Sequence, residues 1–445
     1  MRDVHKHMTG PSKTLPRIKS EVVPTSKPRL WKVLGPGLIT GASDDDPSGI
    51  ATYSQAGAQY GFQLAWTLVV TFPLMVAIQA ICARIGRTTG RGIAGNLRQY
   101  YPMWVVHLLA MLLFVANALN IGADLGAMAE ATRLLAPQVA AWIYILAFST
   151  ICTVTQVLFK HTRYVAILKW LSLSLFAYLA TLLTLHLSWP QLAQGLLVPH
   201  FQANRDFWLV VVAILGTTIS PYLFFWQASQ EVEDTKAHPE RQPLLQKPRQ
   251  GTSALARIRL DTLVGMGFSN LIALAILVTA GATLHAAHIT QIESASQAAQ
   301  ALRPLAGDFA FVIFALGIIG TGLLSVPVLA GSAAYALGEA RRWPVGLARE
   351  ALQAKAFYAT IAIATVLGAL INVLHVNAVR TLVWAAVVNG IVAVPVMAFV
   401  VLMATSRRIM GKFRIGPVWA VVAWGATALM AAASLTFIVA SVGGR

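Results

Sequence analysis

Gly41-Ala42-Ser43-Asp44-Asp45-Asp46-Pro47-Ser48-Gly49-Ile50 is the stretch that decides how this chain folds. It interrupts an apolar window, residues 33–59. Three consecutive carboxylates inside a membrane helix cost of order 2.5–3.5 kcal/mol each on insertion scales. Pro47 has no N–H to donate and Gly49 is a poor helix former, so the helix should break here and free backbone carbonyls. Unwound backbone at membrane depth is tolerated only where it lines a cavity or is buried in protein. In an exterior loop the three acids would be merely solvated, but Val33–Thr40 is too short to span a bilayer alone.

Composition sets the rest of the chain around that break. The 445 residues are 57% hydrophobic and 11% charged, against roughly 25% charged in ordinary globular chains. Runs such as Val139–Phe159, Leu209–Ile219 and Phe309–Leu324 contain no Asp, Glu, Lys or Arg. Since about 20 mostly apolar residues cross the hydrocarbon layer, runs of this kind in series describe a polytopic membrane protein. Soluble, disordered and disulfide-scaffold classes are excluded. The two cysteines, Cys82 and Cys152, lie inside apolar windows and read as small core residues.

Eleven windows emerge, at 33–59, 63–83, 103–129, 139–159, 164–187, 208–232, 258–284, 308–337, 355–374, 379–404 and 416–441. Residues 1–32 read as a disordered cytoplasmic tail without a cleavable signal, and 33–441 as the transmembrane domain. With the N-terminus inside, 29 of the 34 Lys and Arg fall in loops on the cytoplasmic side, leaving Arg133, Arg205, Arg303, Arg380 and Arg445 outside. This positive-inside asymmetry explains the net charge of +17 without a nucleic-acid partner and puts the C-terminus in the periplasm or exterior. The Pro-rich linker 234–256 is too short for a domain, and 285–304 reads as a short surface helix.

The sixth window carries a second break, Gly216-Thr217-Thr218-Ile219-Ser220-Pro221-Tyr222. It comes five windows after the first. Five is odd, so the second set of five runs upside-down relative to the first: 33–187 is one repeat, 208–404 its inverted partner, and 416–441 an extra helix. Two interrupted segments at matching places in inverted halves point to a transporter's midplane binding site. Carboxylates, freed carbonyls and hydroxyls are hard oxygen ligands, suited to magnesium or manganese. Asp46, next to Pro47, is the best ligand; Asp44 and Asp45 are expected to face water or tune its potential.

At these residues the chain resembles the Nramp family (natural-resistance-associated macrophage proteins), proton-coupled importers of manganese and iron with a leucine-transporter-like fold. The likeness spans nearly all of 33–441: the opening Gly35-Pro36-Gly37, both breaks and the order of spans. The resemblance implies an all-α membrane protein of eleven helices, two inverted five-helix repeats plus one, with the first and sixth broken. The family's breaks read Asp-Pro-Gly-Asn and Met-Pro-His; here they read Asp46-Pro47-Ser48-Gly49 and Ser220-Pro221-Tyr222. The resemblance therefore makes Asp46 the charged metal ligand and Ser43 and Thr217 sources of backbone carbonyls. Gly49 replaces a side-chain amide, leaving room for water. Ser220 replaces a thioether, and losing soft sulfur shifts preference away from transition metals, closer to the Nramp-related magnesium transporters. Asn389, in the tenth window, stands where the family places a polar side chain near the metal; a helix–helix hydrogen bond is the alternative.

Coupling residues follow the same comparison. Asn117, Asn120 and Asp124 lie on one face of the third helix. Asp124 matches the family's acid on the proton route, the alternative being a salt bridge to a basic residue such as Arg84. The family's companion Glu is Ala127 here, and its sixth-helix histidines are Tyr222 and Gln227, so obligate proton coupling is not expected. Gln230, Glu231, Glu233 and Asp234 form either an inner vestibule or a solvated helix end. His5 and His7 read as part of a solvated tail, and His107, His186 and His375 as interfacial. Gly317–Gly322 offers small residues for close helix packing.

The expected function is secondary import of divalent cations of the manganese, iron and magnesium class across the inner membrane by alternating access. The ion is cargo and no cofactor is implied; the partners are metal ions and the lipid bilayer, with no nucleic acid and no obligate protein. An amino-acid-type carrier of the same fold or a cation channel are the alternatives. No Walker sequence, zinc-protease motif or nucleophile elbow is present, so the chain does not read as an enzyme.

Overall fold

A computed structural model of the protein describes residues 40–41, 43–158, 176–238, 240–374 and 377–442. The tail 1–32, Gly35-Pro36-Gly37, His5, His7, His375 and the first half of the fifth window lie outside the described residues. What is described is helical almost throughout.

The first window breaks where its sequence demands. Thr40, Gly41, Ser43 and Asp44 are helical, the chain bends at Asp45, Asp46 is extended, and helix α1 runs Pro47–Tyr60. Gly61, at φ 59°, ends α1 and turns the chain into α2, Ala65–Thr89; only glycine takes that conformation without a steric cost. A short α3, Ile93–Tyr100, precedes α4, Met103–Leu135, and α5, Ala141–Leu158. Helices α6, Phe176–Thr184, and α7, Trp189–Leu197, lead to the second broken pair: α8, Arg205–Thr218, and α9, Pro221–Ala237. The remainder comprises α10, Gly251–Ala280; α11, Ala310–Arg341; α12, Lys355–Ile371; α13, Ala378–Thr405; and α14, Pro417–Val442.

Among the described residues eight helices are long and apolar enough to cross a membrane, α8 and α9 counting together as one. Helix α12, with 17 residues, is shorter, and the first and fifth windows are described only in part. The architecture therefore rests on the arrangement of helices and not on a count of eleven. Large apolar side chains such as Trp142, Leu146, Leu183, Val421 and Val439 are exposed, as lipid-facing residues should be.

Backbones approach closely where small residues allow it. A Cβ on Gly216 would stand 2.0 Å from the Ala386 carbonyl oxygen, so α8 lies directly against α13. Gly322, in the small-residue run of α11, faces the Met128 thioether of α4 and the Pro47 ring, as the close-packing expectation required. Neither cysteine forms a disulfide. The 285–304 stretch does contain a short helix, Ala295–Ala299, but Ala295, Ala298 and Ala299 are buried, so it is tucked against the bundle and is not a surface element.

The basic loops gather at one end. Arg84 donates to the carbonyls of Phe413 and Arg414 at 2.8 and 3.0 Å. Arg87 donates to Thr235 and to the Gln242 carbonyl, both at 2.9 Å, and Arg98 to the Ala340 carbonyl. The Pro-rich linker thus docks on the end of α2.

Candidate metal-binding site

Both breaks are built from the same local device. Asp46 and Ser220 are each extended N-cap residues followed by proline at the first helical position, where proline's missing N–H would have had no helical partner. Asp46 caps α1 with its side chain: Gly49 N–H donates to Oδ1 at 2.7 Å. Ser220 instead turns its hydroxyl back, donating to the carbonyls of Gly216 at 2.8 Å and Thr217 at 2.9 Å.

The two breaks meet. The Tyr222 hydroxyl, on the first turn of α9, donates to the Ser43 carbonyl at 3.0 Å and lies 3.4 Å from Asp46 Oδ2. Tyr53 of α1 and Thr218 of α8 bring their hydroxyls to 3.4 Å. A Cβ on Gly49 would sit 3.2 Å from Thr217 Oγ1. The hollow that a side-chain amide would fill at position 49 is therefore occupied by the threonine hydroxyl from the other break. Ser43, Asp46, Gly49 and Thr217 thus share one small buried region with Tyr222, and Ser220 borders it with its hydroxyl already engaged. Thr40 donates to Gln227, tying the turn before the first break to α9.

Asn389 is placed differently from a freely presented ligand. Its Oδ1 accepts from Asn120 Nδ2 at 2.8 Å, joining α13 to α4, which is the helix–helix bond. Its Nδ2 has no hydrogen-bond partner among the described residues. Asn117 likewise donates across to α11, to Ser332 at 2.7 Å and the Leu329 carbonyl at 2.8 Å.

The expectation that Asp44 and Asp45 face water is overturned. Both are buried, 1% exposed. A Cβ on Gly41 would stand 2.2 Å from the Gly265 carbonyl oxygen, so the turn before the break lies against α10. One turn further along α10, the Ser269 hydroxyl stands 2.6 Å from Asp44 Oδ2 and 3.2 Å from Asp45 Oδ1. The remaining oxygens, Asp44 Oδ1 and Asp45 Oδ2, have no partner among the described residues.

Asp124 is buried, and its Oδ2 accepts from Ser325 of α11 at 2.7 Å. Ser325 lies one turn from Gly322, which packs on Pro47. The alternative salt bridge to Arg84 does not form, because Arg84 is spent on the carbonyls of Phe413 and Arg414. The acids ending α9 are paired, not open to a vestibule: Glu231 with Arg257 at 2.5 Å, Glu233 with Lys236 at 3.6 Å, and Asp234 with Arg241. Sequence reasoning missed Ser269 and the Thr217 hydroxyl; one is a lone serine in an apolar window and the other was read only for its carbonyl.

A family model, natural resistance-associated macrophage protein-like, matches residues 37–440. The chain belongs to the Nramp family. A divalent metal cation transporter MntH of Ralstonia nicotianae is 28% identical over 443 residues, covering 96% of each chain. One from Yersinia enterocolitica is 28% identical over 312 residues, 68% of this chain and 72% of its own. Among solved structures, an Eremococcus coleocola manganese transporter superposes with a TM-score of 0.71 at 15% identity, covering 94% of this chain and 89% of its own. Mhp1, a nucleobase-cation-symport-1 family transporter, gives 0.56 at 14% identity over 92% of this chain and 90% of its own. At these identities the superpositions speak for the fold: this Nramp chain is an all-α, multi-pass membrane protein of the leucine-transporter-like class.

Proposed function

We propose that this Nramp protein is a secondary transporter that imports divalent metal cations by alternating access, with the ion held where the two breaks meet. The observation that carries this reading is the Tyr222 hydroxyl, which spans the Ser43 carbonyl and the Asp46 carboxylate and so marks one point where oxygens from both breaks converge. Asp46 supplies the charge. The carbonyls of Ser43 and Thr217 and the hydroxyls of Thr217 and Tyr222 supply neutral hard oxygen, the Thr217 hydroxyl standing in the hollow beside Gly49, and Ser220 frames the site from the second break. Asn389 Oδ1, which accepts from Asn120, has a second lone pair to contribute from the α13 side. A set of this kind suits magnesium or manganese, and magnesium keeps part of its water shell.

The side chains joined at the breaks are carboxylates, hydroxyls and amides. That supports a cation as cargo over an amino-acid-type solute, whose carboxylate needs a cationic or backbone-amide anchor. The 33–187 and 208–404 repeats move against one another in this reading, with 416–441 outside them. The basic end faces the cytoplasm across the inner membrane, N-terminus in and C-terminus out, as the positive-inside asymmetry requires. Asp124 is the coupling candidate, but with Ala127, Tyr222 and Gln227 in the family's proton-carrier positions and Ser325 as its partner, transport is not obligately proton-coupled.

Flux into proteoliposomes and calorimetric binding for magnesium, manganese, iron and calcium test the proposal. Saturable uptake of at least one of these ions is expected. Linear, unsaturable flux would establish a channel instead. Stoichiometric acidification of the lumen during uptake would overturn the uncoupled reading while leaving the cargo intact.

A further inference from the structure

At the basic end, well away from the breaks, the chain carries a cavity of about 610 Å³. It opens between the start of α3, the last turn of α9 and the end of α11. Four cationic side chains line it, Arg91, Arg98, Lys236 and Arg342, against one carboxylate, Glu339. Like charges gathered this closely repel, so their partners need to be accounted for one by one.

Glu339 is engaged elsewhere. Its two oxygens accept from the backbone N–H groups of Gly92 at 3.1 Å and Gly95 at 2.8 Å, at the N-terminus of α3. Arg98 donates to the Ala340 carbonyl, which fixes its guanidinium at the wall. Lys236 is shared with Glu233 at 3.6 Å. Arg91 and Arg342 are left: among the described residues neither side chain makes a hydrogen bond or ion pair. Among the described residues Arg342 is also one of two non-glycine residues with positive φ, at 60°, in the left-handed cap that closes α11. Glycine is the usual occupant of such a cap, and another side chain there is held against a steric preference. Retaining an arginine at that place keeps a guanidinium at the cavity mouth at the cost of backbone strain.

We propose that this cavity binds a phosphate-bearing anion through Arg91 and Arg342, with Lys236 and Arg98 contributing charge. Guanidinium forks match phosphate oxygens bidentately, and several cations around one cavity suit a multiply charged group better than a chloride. The chemistry is common to an anionic phospholipid headgroup and to a soluble phosphate compound. The cavity's position at the end of the bundle, beside the half-exposed Trp343, is accessible to both. This inference does not depend on the metal reading.

The test uses the full chain with two probes: inorganic pyrophosphate titrated in neutral detergent, and phosphatidylglycerol against phosphatidylcholine in nanodiscs, with retained lipid counted by native mass spectrometry. The Arg91→Gln/Arg342→Gln variant is expected to lose at least about tenfold in affinity for whichever probe binds. Arg249→Gln/Arg407→Gln removes the same charge from exposed residues outside the cavity and is expected to change nothing. Loss for pyrophosphate alone identifies a soluble ligand; loss for phosphatidylglycerol alone identifies a lipid. Equal binding by wild type and cavity variant, or an equal loss in the control, overturns the proposal. Should the double variant not give a monodisperse protein, Arg342→Gly relieves the strained cap. It is expected to raise Tm while weakening anion binding about threefold, and a variant that binds as wild type does would refute the assignment.

Discussion

At the first break the residue that caps the following helix is a carboxylate, and it reaches outward: Asp46 holds Gly49 N–H and approaches Tyr222. At the second break the capping residue is Ser220, and its hydroxyl folds back onto the carbonyls of Gly216 and Thr217. Both segments place an extended residue before a proline, yet one presents a charge and the other a wall of dipoles that already have partners. On the proposed reading, the asymmetry means that a cation is gripped from one side and framed from the other. The break is common to both; the attraction belongs to the first.

That contrast can be attacked in order of expected effect. Asp46→Asn keeps a good helix cap and removes the charge, so uptake should fall roughly 100-fold, equivalent to about 3 kcal/mol of ion binding, while Tm changes little. Uptake within a few-fold of wild type would show that the first break does not grip the ion. Ser220→Met puts soft sulfur in the second break and should shift competition between cadmium and magnesium about tenfold toward cadmium; an unaltered order of preference would refute the hard-oxygen argument. Gly49→Asn drives a side chain into Thr217 Oγ1 and should cut uptake about fivefold, one to two hydrogen bonds' worth. Adding Thr217→Ala should restore most of it, and no rescue would mean that the hydroxyl and the amide do not compete for one hollow. Ser220→Ala should be the mildest, within about twofold, because that hydroxyl serves its own backbone; a large loss there would erase the difference between the breaks.

Much of this was readable in advance. Acids, proline and glycine inside an apolar window force a break wherever they occur, and the positions of Pro47 and Pro221 placed both interruptions. The identity of Asp46 as the reaching carboxylate followed from its place beside Pro47. What could not be read were pairings across the bundle. Ser269 is 225 residues from Asp44, and nothing in the run of α10 distinguishes it from any other small polar residue. Of the two readings of Asp44 and Asp45, facing water or tuning its potential, burial removes the first; their cover depends on Gly41 admitting the α10 backbone, a close approach that no periodicity reports. The pairing of Asp124 with Ser325, where the alternative reading offered a basic residue such as Arg84, has the same reason: helix neighbours are chosen by packing and not by charge complementarity alone.

Asp46 uses one oxygen to fasten the start of α1 and leaves the other toward the opposite segment. If the proposed ligand role holds, a cargo ion that takes hold of this carboxylate tugs on the helix's own fastening. On the proposed reading, loading is thereby felt at the first turn of α1 itself, with no linkage needed to carry the signal between them.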